Sequence, residues 1–521
     1  MATKLASCLS RLSPVPAFPE YTGPYKVGTI DIDDIHTVQF RMFYPAAPAS
    51  GEKRIGWLPT PQRQHLSAYT KFLGIGPMLA EFLSFLPRHL HYTTIPVHKN
   101  ATLHEDTTEN HRWPTMIFSH GLGGGRNSYS YIAGSLASDG IVVLAPEHRD
   151  GSAVATFVRN PEDSAARQEI PYTKISHDVS PADPALGIGT DSRGTPFTNM
   201  NRSTPAASVN QFVGKLNIHE PGSIIFAGHS LSGATINQFL KSTYYADVPE
   251  VAAMEKPLFA PATGSEIREQ VTEKTVTMLL DMRCMPLMAP NSEPLFNLPL
   301  PTYADLPTAP GGRAILAVES ESFFKWTEHL NVKARLLSPN PSVKVVTPEL
   351  YERPSGIKLL EPNFFYVINS AHLNQSDFGI LFLWLTKKIF SAEQPERALR
   401  LNLRAQLQIL RVNGVPVART HLQDLVDGTQ FDKLDIAKDT NEKREDGIDD
   451  DQAIFDKSDS HFVDHWRWVD IIGLGDAGEK ETGKTIEEQV EEGEQEMGGA
   501  LEPSEEMPGT PQVQPASAVA A

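Results

Sequence analysis

The stretch IIFAGHSLSGATINQFL, residues 224–240, decides the fold, because an apolar run passes through one tight turn into a helical pattern. Ser230 lies at the tip of that turn, two residues after Gly228. A serine on a sharp strand-to-helix turn is the nucleophile elbow, whose pattern is G-x-S-x-G. Ser232 stands where the pattern has its second glycine. The stretch therefore predicts a nucleophilic Ser230, although on its own it would also suit a helix N-cap.

Apolar runs on both sides of this stretch alternate with helical patterns. Continuous runs rich in Val, Ile, Leu and Phe are typical of parallel strands that are covered on both faces. Strands that alternate with helices favour a doubly wound α/β sheet. The sequence therefore predicts a mostly parallel central sheet flanked by helices. The predicted strands lie within residues 115–121, 141–148, 223–230, 276–282, 313–320 and 363–372.

Composition divides the chain into three segments. We predict a flexible N-terminal segment at residues 1–21 and a catalytic α/β domain at residues 22–430, which opens with a strand pair in residues 23–47. Residues 431–521 form a charged linker and an acidic tail, and the last 44 residues, rich in Glu, Gly and Pro, are expected to be largely disordered. The apolar segment 461–474 is predicted to dock back onto the domain or onto a partner.

Charge and composition bound the function. The chain has 46 Lys and Arg against 64 Asp and Glu, a net charge of −18, which gives no case for nucleic acid as a partner. Two cysteines, Cys8 and Cys284, are too few for a disulfide framework or a zinc ligand set. The first residues lack the apolar core of a secretory signal, so a cytoplasmic setting is expected. Lys4 and Arg11, with no acidic residue nearby, leave a transit peptide as the alternative.

Two glycine-rich patterns near the C-terminus imitate nucleotide-binding motifs. GLGDAG (473–478) matches G-x-G-x-x-G, and GEKETGKT (478–485) matches G-x-x-x-x-G-K-[ST]. A phosphate-binding loop, however, is held by a parallel sheet and needs a downstream acid for magnesium. Only 36 residues follow Thr485, and they contain no strand-like run. The sequence therefore predicts no nucleotide site.

Three predicted strands end in side chains that suit acyl transfer. Ser230, Asp281 and His372 each lie at the end of an apolar run. The carboxyl ends of parallel strands meet at one edge of an open sheet. The order Ser, acid, His is that of the α/β-hydrolases. We expect His372 to take the proton of Ser230, and Asp281 to orient the imidazole.

The tetrahedral intermediate of such a reaction needs two N–H donors for its oxyanion. Leu231 directly follows the proposed nucleophile, so its amide is one candidate. The other is Leu122 in the loop SHGLGGG (119–125), where glycines allow close approach of the backbone. His120 and His229 border this predicted site and are expected to form hydrogen bonds rather than to catalyse.

The segment FSHGLGGGRNSYSYIAGSLASDGIVVLAPEHRDGSA (118–153) resembles the platelet-activating factor acetylhydrolases, the intracellular and lipoprotein-associated phospholipases A2. GHSLSGAT around Ser230 and SAHLNQSDF around His372 carry the same resemblance, which runs from about residue 22 to about residue 390. It implies an α/β-hydrolase fold and calcium-independent hydrolysis of the sn-2 acetyl, short or oxidised acyl ester of phosphatidylcholine-like lipids. It implies these site residues: nucleophile Ser230, acid Asp281, base His372 and oxyanion amides Leu122 and Leu231.

Two departures from the family pattern leave the acid open. Ser232 replaces a glycine, and the segment between Ser230 and Asp281 is longer than expected. Many α/β-hydrolases carry the acid one strand later, which nominates Glu319 or Glu321 as the alternative. This chemistry implies no metal and no organic cofactor.

Residues 71–90 hold many apolar side chains ahead of the main sheet. They suit a helix packed on the core or an interfacial helix that lies on lipid. We therefore expect a phospholipid substrate and peripheral membrane contact through residues 71–90, while the oligomeric state stays open. A general carboxylesterase or polyester hydrolase on the same fold, or a non-catalytic lipid-binding scaffold, is the alternative function.

Overall fold

The computed structural model describes residues 18–33, 39–72, 89–105, 108, 111–159, 167–173, 211–254, 265–305, 309–342, 347–351, 362–382, 395–418 and 466–472. Most of residues 71–90, the two glycine-rich patterns at 473–485 and the last 44 residues lie outside this part of the chain. Predictions about those three segments therefore stay predictions.

The strands of the described residues are β1 Lys26–Asp33, β2 Gln39–Ala46, β3 Ile55–Gly56, β4 Thr94–Ile95, β5 His98–Lys99, β6 Thr115–Ser119, β7 Val142–Glu147, β8 Ala155–Arg159, β9 Arg167–Pro171, β10 Ile224–His229, β11 Thr277–Leu280, β12 Ile315–Ser320, β13 Thr347–Tyr351, β14 Asn363–Val367 and β15 Trp466–Ile472. The α-helices are α1 Gln62–Phe72, α2 His89–Tyr92, α3 Ser130–Ser138, α4 Leu231–Tyr244, α5 Pro249–Ala252, α6 Glu266–Gln270, α7 Glu293–Phe296, α8 Glu321–Lys325, α9 Thr327–Leu337, α10 Phe378–Leu381 and α11 Pro395–Val412.

One large sheet organises the molecule, with strand order β13-β15-β14-β12-β11-β10-β6-β7-β2-β1-β5. The central strands from β14 to β7 are parallel to one another. The strand pair predicted in residues 23–47 is present, because β1 and β2 pair antiparallel at one side of these strands. The mostly parallel sheet with flanking helices confirms the predicted fold class, an α/β-hydrolase fold.

Strands β10, β11, β12 and β14 are buried along their whole length, as their continuous apolar runs predict. Successive side chains of a strand point to opposite faces of the sheet. Ile225 of β10 packs in a core cluster with Leu136 of α3 and Leu403 of α11. Phe226, the next residue, packs in a second cluster with Leu240 of α4. Helices therefore cover both faces of the sheet.

Strand β15 comes from the segment 461–474 that was predicted to dock back. It inserts between β14 and β13 and pairs antiparallel with both. Val469 is buried in the core cluster that contains Phe364 and Tyr366 of β14. The strand belongs to the sheet although it lies beyond the predicted domain boundary at residue 430, because a strand can join a sheet across a long stretch of chain. No helix among the described residues is long and apolar enough to cross a bilayer.

Candidate active site

Ser230 occupies a sharp turn between β10 and α4. Its φ of 57° and ψ of −125° lie in a region that favours glycine, and its N–H donates to the carbonyl of Leu280 at 2.9 Å. The turn brings the start of α4 against the end of β10. A Cβ atom at Gly228 would lie 2.5 Å from the backbone oxygen of Ser232, so only glycine fits at position 228. The strained turn presents the serine at the carboxyl edge of the sheet.

The structure brings Ser230, His372 and Asp281 together in one chain of hydrogen bonds. His372 Nε2 lies 3.0 Å from Ser230 Oγ, and His372 Nδ1 lies 3.0 Å from Asp281 Oδ2. Asp281 follows β11 and is fully buried, and it accepts hydrogen bonds from the N–H of Ser320 at 2.5 Å and from its hydroxyl at 2.7 Å. Ser320, at the end of β12, thus orients the carboxylate toward the imidazole.

The two alternative acids have other partners. Glu319 is buried in an ion pair with Lys333, which is also fully buried. Burial raises the pKa of Glu319, and the adjacent lysine opposes that rise. Glu321 accepts from the backbone N–H of Asn369 at 2.6 Å and pairs with Lys325 at 2.9 Å. The acid that contacts the histidine ring is therefore Asp281.

Two aromatic rings enclose the imidazole of His372. Phe323 of α8 stacks on one side with ring centroids 4.4 Å apart, and His229 stacks with centroids 4.3 Å apart. His229 Nδ1 is 2.6 Å from the hydroxyl of Tyr129. Burial, together with the neighbouring His372, lowers the pKa of His229 well below its usual value. His229 is therefore a neutral ring that limits the rotation of His372.

One proposed oxyanion donor directly follows Ser230 in the chain, and the other directly follows Gly121, which lies against Ser230 in space. Leu231 is the first residue of α4, where backbone N–H groups have no partner within the helix. Leu122 follows Gly121, whose backbone lies against the serine: a Cβ atom at Gly121 would be 3.1 Å from the Cβ of Ser230. The loop 119–125 therefore lies against Ser230, and the first turn of α4 follows it directly in the chain.

Sequence reasoning missed three residues of this site: Ser320, Phe323 and Tyr129. Ser320 stands in the sequence between the two alternative acids, and the prediction considered only their carboxylates and not the hydroxyl. Tyr129 lies in a helical pattern, and nothing local marks its hydroxyl as a site group. A serine at the end of the strand after Asp281 was the one available signal.

Among the described residues, one group of side chains has a spacing that could suit a metal ion. It consists of His229, Asp281 and His372, which offer one ligand atom each, all within 4.8 Å of one another. Both ring nitrogens of His372 are engaged by Ser230 and Asp281, and Nδ1 of His229 is engaged by Tyr129. The contacts of this cluster are thus those of a hydrogen-bonded network.

Comparison with known proteins agrees with these motifs. Residues 12–181 match the family described as platelet-activating factor acetylhydrolase, isoform II. A putative phospholipase A2 of Schizosaccharomyces pombe is 27% identical over 447 residues, which cover 76% of this chain and 92% of the relative. The platelet-activating factor acetylhydrolase of Canis lupus familiaris is 35% identical, but over only 27% of this chain and 30% of its own length.

Among solved structures, a ferulic acid esterase from Streptomyces cinnamoneus aligns with a TM-score of 0.39 and 14% identity, over 77% of this chain and 92% of that one. The family match and the sequence relatives confirm the resemblance found in the motifs. The chain is similar to the platelet-activating factor acetylhydrolases, and this similarity indicates a carboxylic ester hydrolase of the phospholipase kind.

Proposed function

We propose that this protein is a serine-dependent phospholipase A2-type esterase. It cleaves the sn-2 acetyl, short or oxidised acyl ester of phosphatidylcholine-like lipids through an acyl-enzyme, without calcium. The observation that carries the proposal is the hydrogen-bond chain from Ser230 through His372 to Asp281. The similarity to platelet-activating factor acetylhydrolases supports the lipid class.

In the first half of the reaction, Ser230 Oγ attacks the ester carbonyl while His372 Nε2 takes its proton. The carbonyl oxygen becomes an oxyanion, which the N–H groups of Leu122 and Leu231 stabilise. The C–O bond to the glycerol then breaks, and the imidazolium gives its proton to the departing lysophospholipid oxygen. Ser230 is left as an acyl ester.

In the second half, His372 takes a proton from water, and the hydroxide attacks the acyl ester. The bond to Ser230 Oγ breaks, the serine oxygen recovers a proton from the imidazolium, and the fatty or acetic acid leaves. Asp281 favours the imidazolium in both halves because its carboxylate faces Nδ1 at 3.0 Å. The aromatic ring of Phe323, stacked on the imidazole, adds a favourable contact with the cation.

The lipid-facing surface of this proposal is the segment 71–90. Phe72, at the start of this segment, lies close to the loop 119–125, because a Cβ atom at Gly123 would be 2.4 Å from its ring. Gly123 is the neighbour of Leu122 in the loop 119–125. We propose that residues 71–90 contact the lipid surface, in a protein with a cytoplasmic location.

The test is hydrolysis of phosphatidylcholines that differ only in sn-2 chain length, with calcium chelated, by the wild type and the Ser230→Ala variant. We expect acetyl to be cleaved faster than palmitoyl, and both activities to be lost in the variant. A fluorophosphonate label should attach to the wild type and not to the variant.

Other outcomes would contradict this proposal, and two of them would assign the protein to a different functional class. Turnover of nitrophenyl esters without turnover of any phosphatidylcholine would make it a general carboxylesterase. A chain that neither labels nor hydrolyses any ester would be a lipid-binding scaffold. Activity that requires calcium would contradict the proposed mechanism.

A further inference from the structure

The direction of the Leu122 N–H is set by the oxygen on the other side of the same peptide bond. In a trans peptide the C=O and the N–H point in opposite directions. The carbonyl of Gly121 accepts a hydrogen bond from His120 Nδ1 at 2.9 Å and another from the N–H of Gly124 at 3.0 Å. These two bonds hold the Gly121–Leu122 peptide in one orientation.

The ring of His120 is itself fixed in the tautomer that this contact needs. Its Nε2 accepts from the backbone N–H of His148 at 3.3 Å, so the proton of the neutral ring lies on Nδ1 and faces the carbonyl of Gly121. Burial lowers the pKa of His120 well below its usual value, which keeps the ring neutral. The ring also stacks on His148 with centroids 3.7 Å apart.

The preceding peptide, between His120 and Gly121, is held at both of its polar atoms. The hydroxyl of Ser232 donates to the carbonyl of His120. The N–H of Gly121 donates to the hydroxyl of Tyr129 at 3.1 Å, and Tyr129 also contacts His229, which stacks on His372. Ser232 therefore connects this peptide to the elbow, and Tyr129 connects it through His229 to His372, the proposed base.

Ser232 contributes a bond that glycine at this position could not make. Its hydroxyl accepts from Ser119 Oγ at 3.0 Å, and its own proton goes to the carbonyl of His120, which can only accept. Ser232 is 1% exposed, so no water competes for that proton. It lies two residues after the nucleophile, in the first turn of α4.

We propose that Ser232 is a positioning residue for the oxyanion site: its hydroxyl clamps the His120–Gly121 peptide and so fixes the N–H of Leu122 beside Ser230. The inference deepens the proposed esterase function and rests on it. The substitution of the second elbow glycine is then a functional part of this enzyme, because it ties the loop 119–125 to the helix that carries the nucleophile.

The test compares Ser232→Ala with the wild type and with Ser242→Ala. Ser242 is a matched control, because it is a buried serine of the same helix whose hydroxyl donates to the carbonyl of Phe239 at 3.2 Å. For each protein, active sites are counted by end-point fluorophosphonate titration, and kcat and KM are measured on a short-chain ester. The inhibition constant of an alkyl trifluoromethyl ketone is also measured, because Ser230 Oγ adds to its carbonyl and leaves an oxyanion in the same place.

In Ser232→Ala we expect kcat per titrated site to fall about tenfold, with KM within about twofold of the wild type. The affinity for the ketone should fall by the same factor, because adduct and transition state use the same donors. Ser242→Ala should change none of these quantities. A structural role alone would lower the number of titrated sites without changing kcat per site or the affinity for the ketone.

The proposal is overturned if Ser232→Ala keeps its kcat, or if kcat falls while the ketone binds as tightly as before. If Ser232→Ala does not fold, Ser232→Cys, which keeps the shape of the side chain but replaces its hydroxyl with a weak donor, is judged by the same two criteria. A wild type that neither labels nor turns over esters would instead refute the proposed function. An active wild type with an unaffected Ser232→Ala would refute this inference alone.

Discussion

At the scale of single residues, the backbone of Ser230 is strained. Catalysis requires a serine at this position, whereas the backbone conformation would be more stable with glycine. The φ of 57° suits glycine and costs an L residue roughly 1–3 kcal/mol. That strain persists because the N–H of Ser230 is held by Leu280 and its carbonyl by the N–H of Arg283. The hydroxyl is thereby held out at the tip of the turn.

Replacement of Ser230 by glycine should therefore stabilise the fold while it abolishes turnover. Compared with Ser230→Ala, which keeps the strained Cβ atom, Ser230→Gly is expected to raise the free energy of unfolding by about 1 kcal/mol. Urea unfolding of the two variants measures the difference. Equal or lower stability of the glycine variant would contradict the strain at this turn.

The choice between Asp281 and Glu319 is a second test at this scale. Asp281→Asn should lower kcat by about 10³–10⁴-fold, because the amide no longer favours the required tautomer of His372. Glu319→Gln should keep kcat per titrated site but lower the free energy of unfolding by about 3–5 kcal/mol, because it leaves Lys333 buried without an anion. Active-site titration, steady-state kinetics and urea unfolding separate the two effects. The opposite pattern would make Glu319 the catalytic acid.

At the scale of elements, helix α1 packs on the β8–β9 hairpin through a buried histidine. The ring of His65 meets Phe157 of β8 edge-on with centroids 4.8 Å apart, and His65 is 3% exposed. Burial, together with nearby Arg126, lowers the pKa of His65 to about 3. The unfolded chain binds a proton at this ring below about pH 6.5, whereas the folded chain does not. This contact therefore loses stability as the pH falls from 6.5 toward 3.

Removal of the titrating ring should flatten that pH dependence. Between pH 7.5 and pH 5, His65 alone costs the wild type about 2 kcal/mol of folding free energy, which His65→Phe should not lose. Urea unfolding of both proteins at the two pH values gives the comparison, with the exposed His219→Phe as control. An unchanged difference between the two pH values in His65→Phe would show that the ring is protonated in the folded protein.

At the scale of the whole molecule, the sheet is completed by a strand from far along the chain. β15 pairs with Phe365, Tyr366 and Val367 of β14, and His372 follows β14 closely. Without β15, these backbone groups would form an open sheet edge that favours aggregation. The strand therefore supports the element that carries the proposed base.

A chain that ends at residue 460 should accordingly be less stable and more prone to aggregate than one that ends at residue 481. Loss of the buried Val469 side chain alone is expected to cost about 1.5–3 kcal/mol. Urea unfolding and light scattering of the two truncated chains give the answer. Equal stability of both chains would show that β15 contributes nothing to the fold.

Local pattern was sufficient to predict the central strands, the elbow and the order Ser230, Asp281, His372. Apolar runs that are buried on both faces are visible in sequence, and the end of each run marks the edge where functional side chains gather. The glycine at position 228 could also be predicted, because a strand and a helix in close contact leave no space for a Cβ atom.

Pairing across the fold was decided only by the tertiary structure. The sequence left Asp281, Glu319 and Glu321 as alternative acids, and the distance of 3.0 Å from His372 to Asp281 distinguishes them. Ser232 was visible only as a missing glycine, whereas its bond to the carbonyl of His120 joins residues 112 positions apart. Periodicity records which face of an element is buried, but hydrogen-bond partners depend on three-dimensional packing between distant segments. For that reason the sequence by itself determined the fold and the kinds of catalytic side chain, and the tertiary structure decided which groups act together.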